Sequence, residues 1–240
     1  MKRKLIIACT LMLSLNSISA FAQQSYPPDI FIYELDSCVT YTGKAPKITD
    51  FLVAFLNQDE TSEVLGSLNI AWNHYVLGEP QEPCVQFMVD EKNGYLRYTL
   101  NSKLCNDFDD IDELFYYELC YWNCSDGKHK IIAENIVSLE DDMYYLGQYS
   151  GTMFHIYDNT THKLYSADDE MLGAYVEPKI DNTDSETGKQ MTKYDETFAV
   201  YHLPQQGKDI TVDIYHGTTQ KTGIRLVWDG MRFHQKDKDN

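Results

Sequence analysis

The chain predicts an α+β fold, mainly antiparallel β, with about eleven short strands in hairpins or a meander and one amphipathic helix ahead of them. Three observations carry this. Apolar residues recur at helical spacing over 62–77. After Pro83 the period shortens, and runs rich in Tyr, Phe, Val and Ile begin. Nearly every pair of those runs is separated by a turn signal.

The first 22 residues read as a secretory signal peptide. Lys2, Arg3 and Lys4 supply the positive end, Leu5 to Leu15 the apolar stretch, and Ala20-Phe21-Ala22 the cleavage site. Ser14, Asn16, Ser17 and Ser19 interrupt the apolar run, which disfavours a membrane anchor. Residues 23–46 read as an extended leader and a first strand at Ile30–Leu35. Residues 47–83 form the helical segment. In it Asp50 caps a short helix through Leu56, and a longer helix follows over 62–77 with the stripe Val64, Leu65, Leu68, Trp72, Tyr75 and Val76. Gly78 and Pro80 end it.

Residues 84–235 read as the antiparallel β region, packed with the helix as one domain. Hairpins are expected at Val85–Val89 with Tyr95–Leu100, Leu114–Cys124 with Lys130–Val137, Met153–Tyr157 with Lys163–Ser166, and Thr197–Leu203 with Asp209–Tyr215. A fifth joins Ile224–Trp228 to Met231–His234 through the two residues Asp229-Gly230. Met171–Val176 reads as a further strand, 177–193 as an exposed excursion, and 236–240 as a disordered tail.

Charge narrows the function classes. The chain has 240 residues and a formal charge of −17. Without the first 22 residues, 17 basic side chains face 37 acidic ones, a net of −20. Such a surface repels nucleic acid and anionic membranes. No segment beyond the signal is apolar and long enough to span a bilayer. Five cysteines remain after the signal: Cys38, Cys84, Cys105, Cys120 and Cys124. Cys120 and Cys124 on one strand would lie about 13 Å apart, too far for a disulfide.

Two groups of residues are candidates for function. Asp107, Asp109, Asp110 and Asp112 crowd one loop, and carboxylate-rich loops supply the oxygens that calcium needs. Their spacing departs from the EF-hand pattern, with Ile111 at the third ligand position, so a solvated acidic loop is the plainer reading. Tyr116, Tyr121 and Trp122 crowd one strand, and such side chains suit a ligand or partner surface. They are also strong strand formers. His202 and His216 are expected at opposite ends of one hairpin, with His202 facing Ile210 and His216 facing Glu196. His155 and His162 flank another hairpin and could approach each other.

Nucleophile elbows, zinc-protease motifs and phosphate loops are absent. The leading expectation is therefore an exported, non-catalytic binding or interaction module whose partner is a protein, a small ligand or a glycan. A carboxylate-dependent extracellular hydrolase and a calcium-stabilised module of the cell envelope stand behind it. With binding ranked ahead of calcium, equal thermal midpoints are expected in calcium and in chelator. A higher midpoint in calcium would make the 107–113 loop a metal site.

Overall fold

The computed structural model describes Tyr26 and residues 28–58, 63–105, 113–140, 143–145, 150–178, 197–217 and 219–237. The expected signal segment and the aspartates at 107, 109, 110 and 112 lie outside the described residues.

The fold is mostly antiparallel β, in two sheets, with few helices. Strand β1 (Phe31–Cys38) sits at one edge of the larger sheet. The chain then crosses that sheet's face as helices α1 (Ile48–Leu56) and α2 (Glu63–Leu77). It re-enters at the opposite edge as β2 (Val85–Asp90) and meanders back through β3 (Tyr95–Asn101), β4 (Glu113–Asn123) and β5 (His129–Glu140). The short β6 (Met143–Tyr145) pairs with β5. Strands β7 (Gly151–Asp158) and β8 (Lys163–Ala167) bring the chain home to β1, giving the order β1-β8-β7-β5-β4-β3-β2. After the one-turn helix α3 (Asp169–Leu172), a second sheet follows: β9 (Thr197–His202), β10 (Ile210–His216), β11 (Thr219–Trp228) and β12 (Phe233–Asp237).

The result is three layers: helices, large sheet, small sheet. Strands β4 and β5 are covered on both faces. Tyr117, Leu119 and Ile132 face the helices, while Trp122, Ile131 and Ala133 face the small sheet. Alternation therefore places apolar residues on both sides, and these strands read as nearly continuous hydrophobic runs.

Helix α1 is the better-buried helix. Its sequence FLVAFL is apolar almost all round, the signature of a helix inside a core. Phe51, Leu52 and Phe55 are buried, and Phe51 packs edge-on against Tyr121 and Tyr157. Asp50 lies inside the helix, not before it, and its carboxylate accepts from the Lys47 amide at 2.7 Å. In α2 only part of the expected stripe is buried: Leu68 and Trp72, joined by Ala71. Tyr75 is exposed yet stacks on Trp72, and Val76 points to solvent. The side chains of Val64 and Leu65 lie outside the described residues.

The first four expected hairpins form, with bounds shifted by one to three residues. The fifth differs. Trp228 pairs with Phe233 across a four-residue loop, because the Asp229 carboxylate gathers the Met231 and Arg232 amides at 2.7 and 2.8 Å. The 171–176 segment is not a strand. Asp168 caps α3 by accepting from Met171 N at 2.8 Å, and Gly173 ends it at φ 73°. A Cβ there would lie 2.2 Å from the Phe233 carbonyl oxygen, so only glycine fits. Lys236 and Asp237 belong to β12 and are not a frayed tail. Cys84 and Cys105 form a disulfide spanning 21 residues, while Cys120 and Cys124 are both free and buried.

Closing a loop of that length stabilises by about 3 kcal/mol. The layering makes a sharper prediction: Phe51→Ala should cost about 3–5 kcal/mol and Ile70→Ser less than about 0.5, read by denaturant unfolding. Equal losses would contradict the assignment of α1 as the better-buried helix.

Candidate functional site

Two polar clusters lie inside the large sheet, one on each face. Toward the small sheet, Glu118 accepts from Tyr95 Oη at 2.6 Å and from Asn135 Nδ2 at 2.8 Å. The same Asn135 nitrogen reaches the Tyr201 carbonyl at 2.9 Å, and Thr152 Oγ1 donates to Asn135 Oδ1 at 2.8 Å. Toward the helices, Glu134 accepts from Tyr117 Oη at 2.6 Å and pairs with His155 Nε2 at 2.7 Å. The His155 ring lies 4.8 Å from that of Phe55 on α1, and its Nδ1 has no partner.

Both carboxylates are buried. Glu118 is directly opposite Asn135, and Glu134 opposite Leu119. One-residue alternation puts the two carboxyls on opposite sides of the sheet. They cannot flank one substrate, as a carboxylate pair in glycoside hydrolysis must. Their geometry ties layers together.

A third cluster closes the end of the sheet. Asp126 accepts from the Lys128 and His129 amides and meets His129 Nδ1 at 2.6 Å. Tyr26 Oη lies 3.1 Å from Cys124 Sγ. Burial pushes the Cys124 thiol up to about 12 and the Cys120 thiol higher, which suppresses the thiolate a nucleophile requires. Lys130 is also buried, and desolvation lowers its pKa; its ammonium holds Asn123 Oδ1 and lies 4.7 Å from the Tyr121 ring centre.

The tyrosine-rich strand is occupied with packing. Tyr116 is buried under the small sheet beside Val137, Phe198 and Val200, with the Arg97 guanidinium 4.0 Å from its ring. Trp122 lies between the sheets and donates from Nε1 to the Lys208 carbonyl at 2.8 Å. Tyr121 is half-buried against Gly94 and α1; a Cβ on Gly94 would sit 2.7 Å from its ring. The three do not form one surface, since Tyr121 faces the helices and the other two face the small sheet.

The histidines separate as well. The hairpin register is one residue away from expectation: His202 faces Thr211 and His216 faces Thr197. His202 instead meets Asp213 at 3.2 Å. His155 is buried with Glu134, whereas His162 packs on Tyr41 near Tyr157. Among the described residues no group of three or more His, Cys, Asp or Glu is placed to hold a metal ion.

An open concave feature lies elsewhere. A cleft of about 450 Å³ runs between α2 and the β2–β3 edge of the large sheet. It is lined by Ser67, Ile70, Ala71 and His74 from α2, by Tyr98 and Leu100 from β3, and by Leu104 with the Cys84–Cys105 disulfide. Gln81 also lines it, and its amide nitrogen is buried without a hydrogen-bond partner. Glu82 stands exposed among the lining residues. The size falls within the roughly 300–1,000 Å³ usual for ligand pockets. Sequence reasoning did not find these residues. The available signal was Ile70 and Leu77, two apolar residues off the buried stripe of a helix that carries no lysine or arginine.

No family model matches this chain, and neither a curated protein nor a solved structure does.

Burial pushes the Tyr98 and Tyr201 hydroxyls up to about 12, and those of Tyr95, Tyr116 and Tyr117 further. Unfolded tyrosines ionise near pH 10. Their contribution to stability is thus complete below about pH 10 and falls as pH rises beyond it, because only the unfolded state then sheds protons. Tyrosinate absorbance against pH should show an exposed set titrating near pH 10 and a buried set appearing together with loss of the fold. All tyrosines titrating near pH 10 in an intact fold would contradict these environments.

Proposed function

We propose that this chain is an exported, non-catalytic binding module and that its ligand enters the cleft between α2 and the β2–β3 edge. One observation carries the reading: the cleft stands open beside apolar side chains that packing leaves in water. Ile70 is 65% exposed and Leu104 49%, and both line the cleft, one from α2 and the other from the segment after β3. Leu77, two turns further along the same face of the helix, is 71% exposed. Covering such surface gains about 25 cal/mol per Å², and contiguous exposed apolar surface marks interaction sites more often than chance.

The cleft is also held in shape. Its far wall is stapled by Cys84–Cys105, and α2 is anchored from below by Leu68 and Trp72. A rigid site spends less of its binding free energy on ordering itself. The carboxylates of the ionisable clusters, by contrast, are paired with donors inside the protein. Export fits the amino-terminal pattern and gives the disulfide a compartment in which it persists.

The neutral apolar fluorophore N-phenyl-1-naphthylamine tests the site. It should bind saturably, with Ile70→Asp and Leu104→Asp each weakening it at least about tenfold, close to 1.4 kcal/mol. Ile32→Asp, on the remote edge strand β1, should leave binding unchanged. Insensitivity to both cleft variants would remove the cleft as the site.

A further inference from the structure

Resting on that reading of the cleft, we infer that its occupant is a basic polypeptide segment, a bulky aliphatic side chain flanked by lysine or arginine. Shape argues for a polypeptide. Exposed apolar side chains are not confined to the cleft: Leu77 lies on the same face of α2 as Ile70, with Asn73 and His74 between them. Ile70 and Leu77 are seven residues apart on α2, about 10 Å along its axis. A small ligand seated at the disulfide wall leaves Leu77 in water. A segment of two helical turns, or three to four extended residues, covers both.

Charge argues for a basic one. No lysine or arginine lines the cleft. Glu82 stands on its lip, exposed and without an ion pair among the described residues. Glu79 follows at the end of α2, 3.5 Å from His74 Nδ1, both about half exposed. Behind these stands the chain's net charge of −17. A second copy brings the same negative field, and an anionic membrane is repelled for the same reason. A cationic segment is attracted before contact and meets Glu82 and Glu79 as its aliphatic side chain enters.

The test uses three synthetic peptides of about twelve residues. One alternates leucine and lysine in a helical amphipathic pattern. The second replaces each lysine by glutamate. The third keeps the lysines and replaces each leucine by serine. Affinities are read by fluorescence anisotropy at low and near-physiological salt. The leucine–lysine peptide should bind at least about tenfold tighter than either of the others. Ile70→Asp should abolish its advantage over the serine peptide. Glu82→Lys should weaken it several-fold and favour the leucine–glutamate peptide. Both positions are exposed, so neither substitution threatens the fold, and circular dichroism checks this.

Equal binding of the leucine–lysine and leucine–glutamate peptides would overturn the basic occupant while leaving the cleft as a site. Equal binding of the leucine–lysine and lysine–serine peptides, untouched by Ile70→Asp, would reduce the interaction to diffuse attraction and overturn it. Self-association in sedimentation equilibrium, lost in Ile70→Asp, would make the occupant a second copy and also overturn it. Failure of the neutral fluorophore with retained peptide selectivity would remove only the small-ligand reading.

Discussion

Everything in this molecule depends on burying both faces of β4 and β5. A sheet covered on one side can keep its polar residues on the other. These two strands have no such side. Glu118, Glu134 and Asn135 sit at their centre, each buried. An unpaired buried carboxylate is untenable, so each must find donors inside the protein. Tyr95 and Asn135 supply them on one face, Tyr117 and His155 on the other. Asn135 also reaches the Tyr201 carbonyl and so links the large sheet to β9. These pairings make a two-sided core possible.

The same constraint explains the location of the cleft. The helical layer has two helices for a sheet of eight strands. The shorter, α1, takes the centre, because its apolar surface extends nearly all round. That leaves α2 over the edge formed by β2 and β3, where Trp72 and Tyr75 meet Phe87. At an edge a helix is packed from below and from one side only. Its outer flank stays in water, and Ile70 and Leu77 lie on it among Ser67, Asn73 and His74. The disulfide closes the remaining side and gives the groove a second wall.

Much of the sheet was legible in the sequence, and the cleft was not. Period-two runs broken by Gly94, Gly127 or Gly207 located the hairpins, since a positive φ marks where a chain reverses. The Asp229 loop was misjudged because its length depends on what the aspartate carboxylate gathers, which the Asp-Gly pair does not reveal. Tyr116 and Trp122 resembled a binding surface because aromatic residues suit a sheet core and a ligand face equally well. Only the second sheet, contributed from eighty or more residues away, decides between them. The stripe on α2 was half right for a related reason: helical spacing shows which residues share a face, but not how much of that face a neighbour covers. The cleft arises from three distant segments and has no local signature.

The central claim is that β4 and β5 form the most stable part of the molecule, with the outer layers held onto them. Amide hydrogen exchange measured along the whole chain tests it most directly. Residues 114–123 and 130–139 should exchange slowest, the small sheet and α1 next, and the solvent-facing end of α2 fastest among the regular elements. Slower exchange in β9–β12 than in β4 and β5 would contradict the account and make the small sheet the independent core.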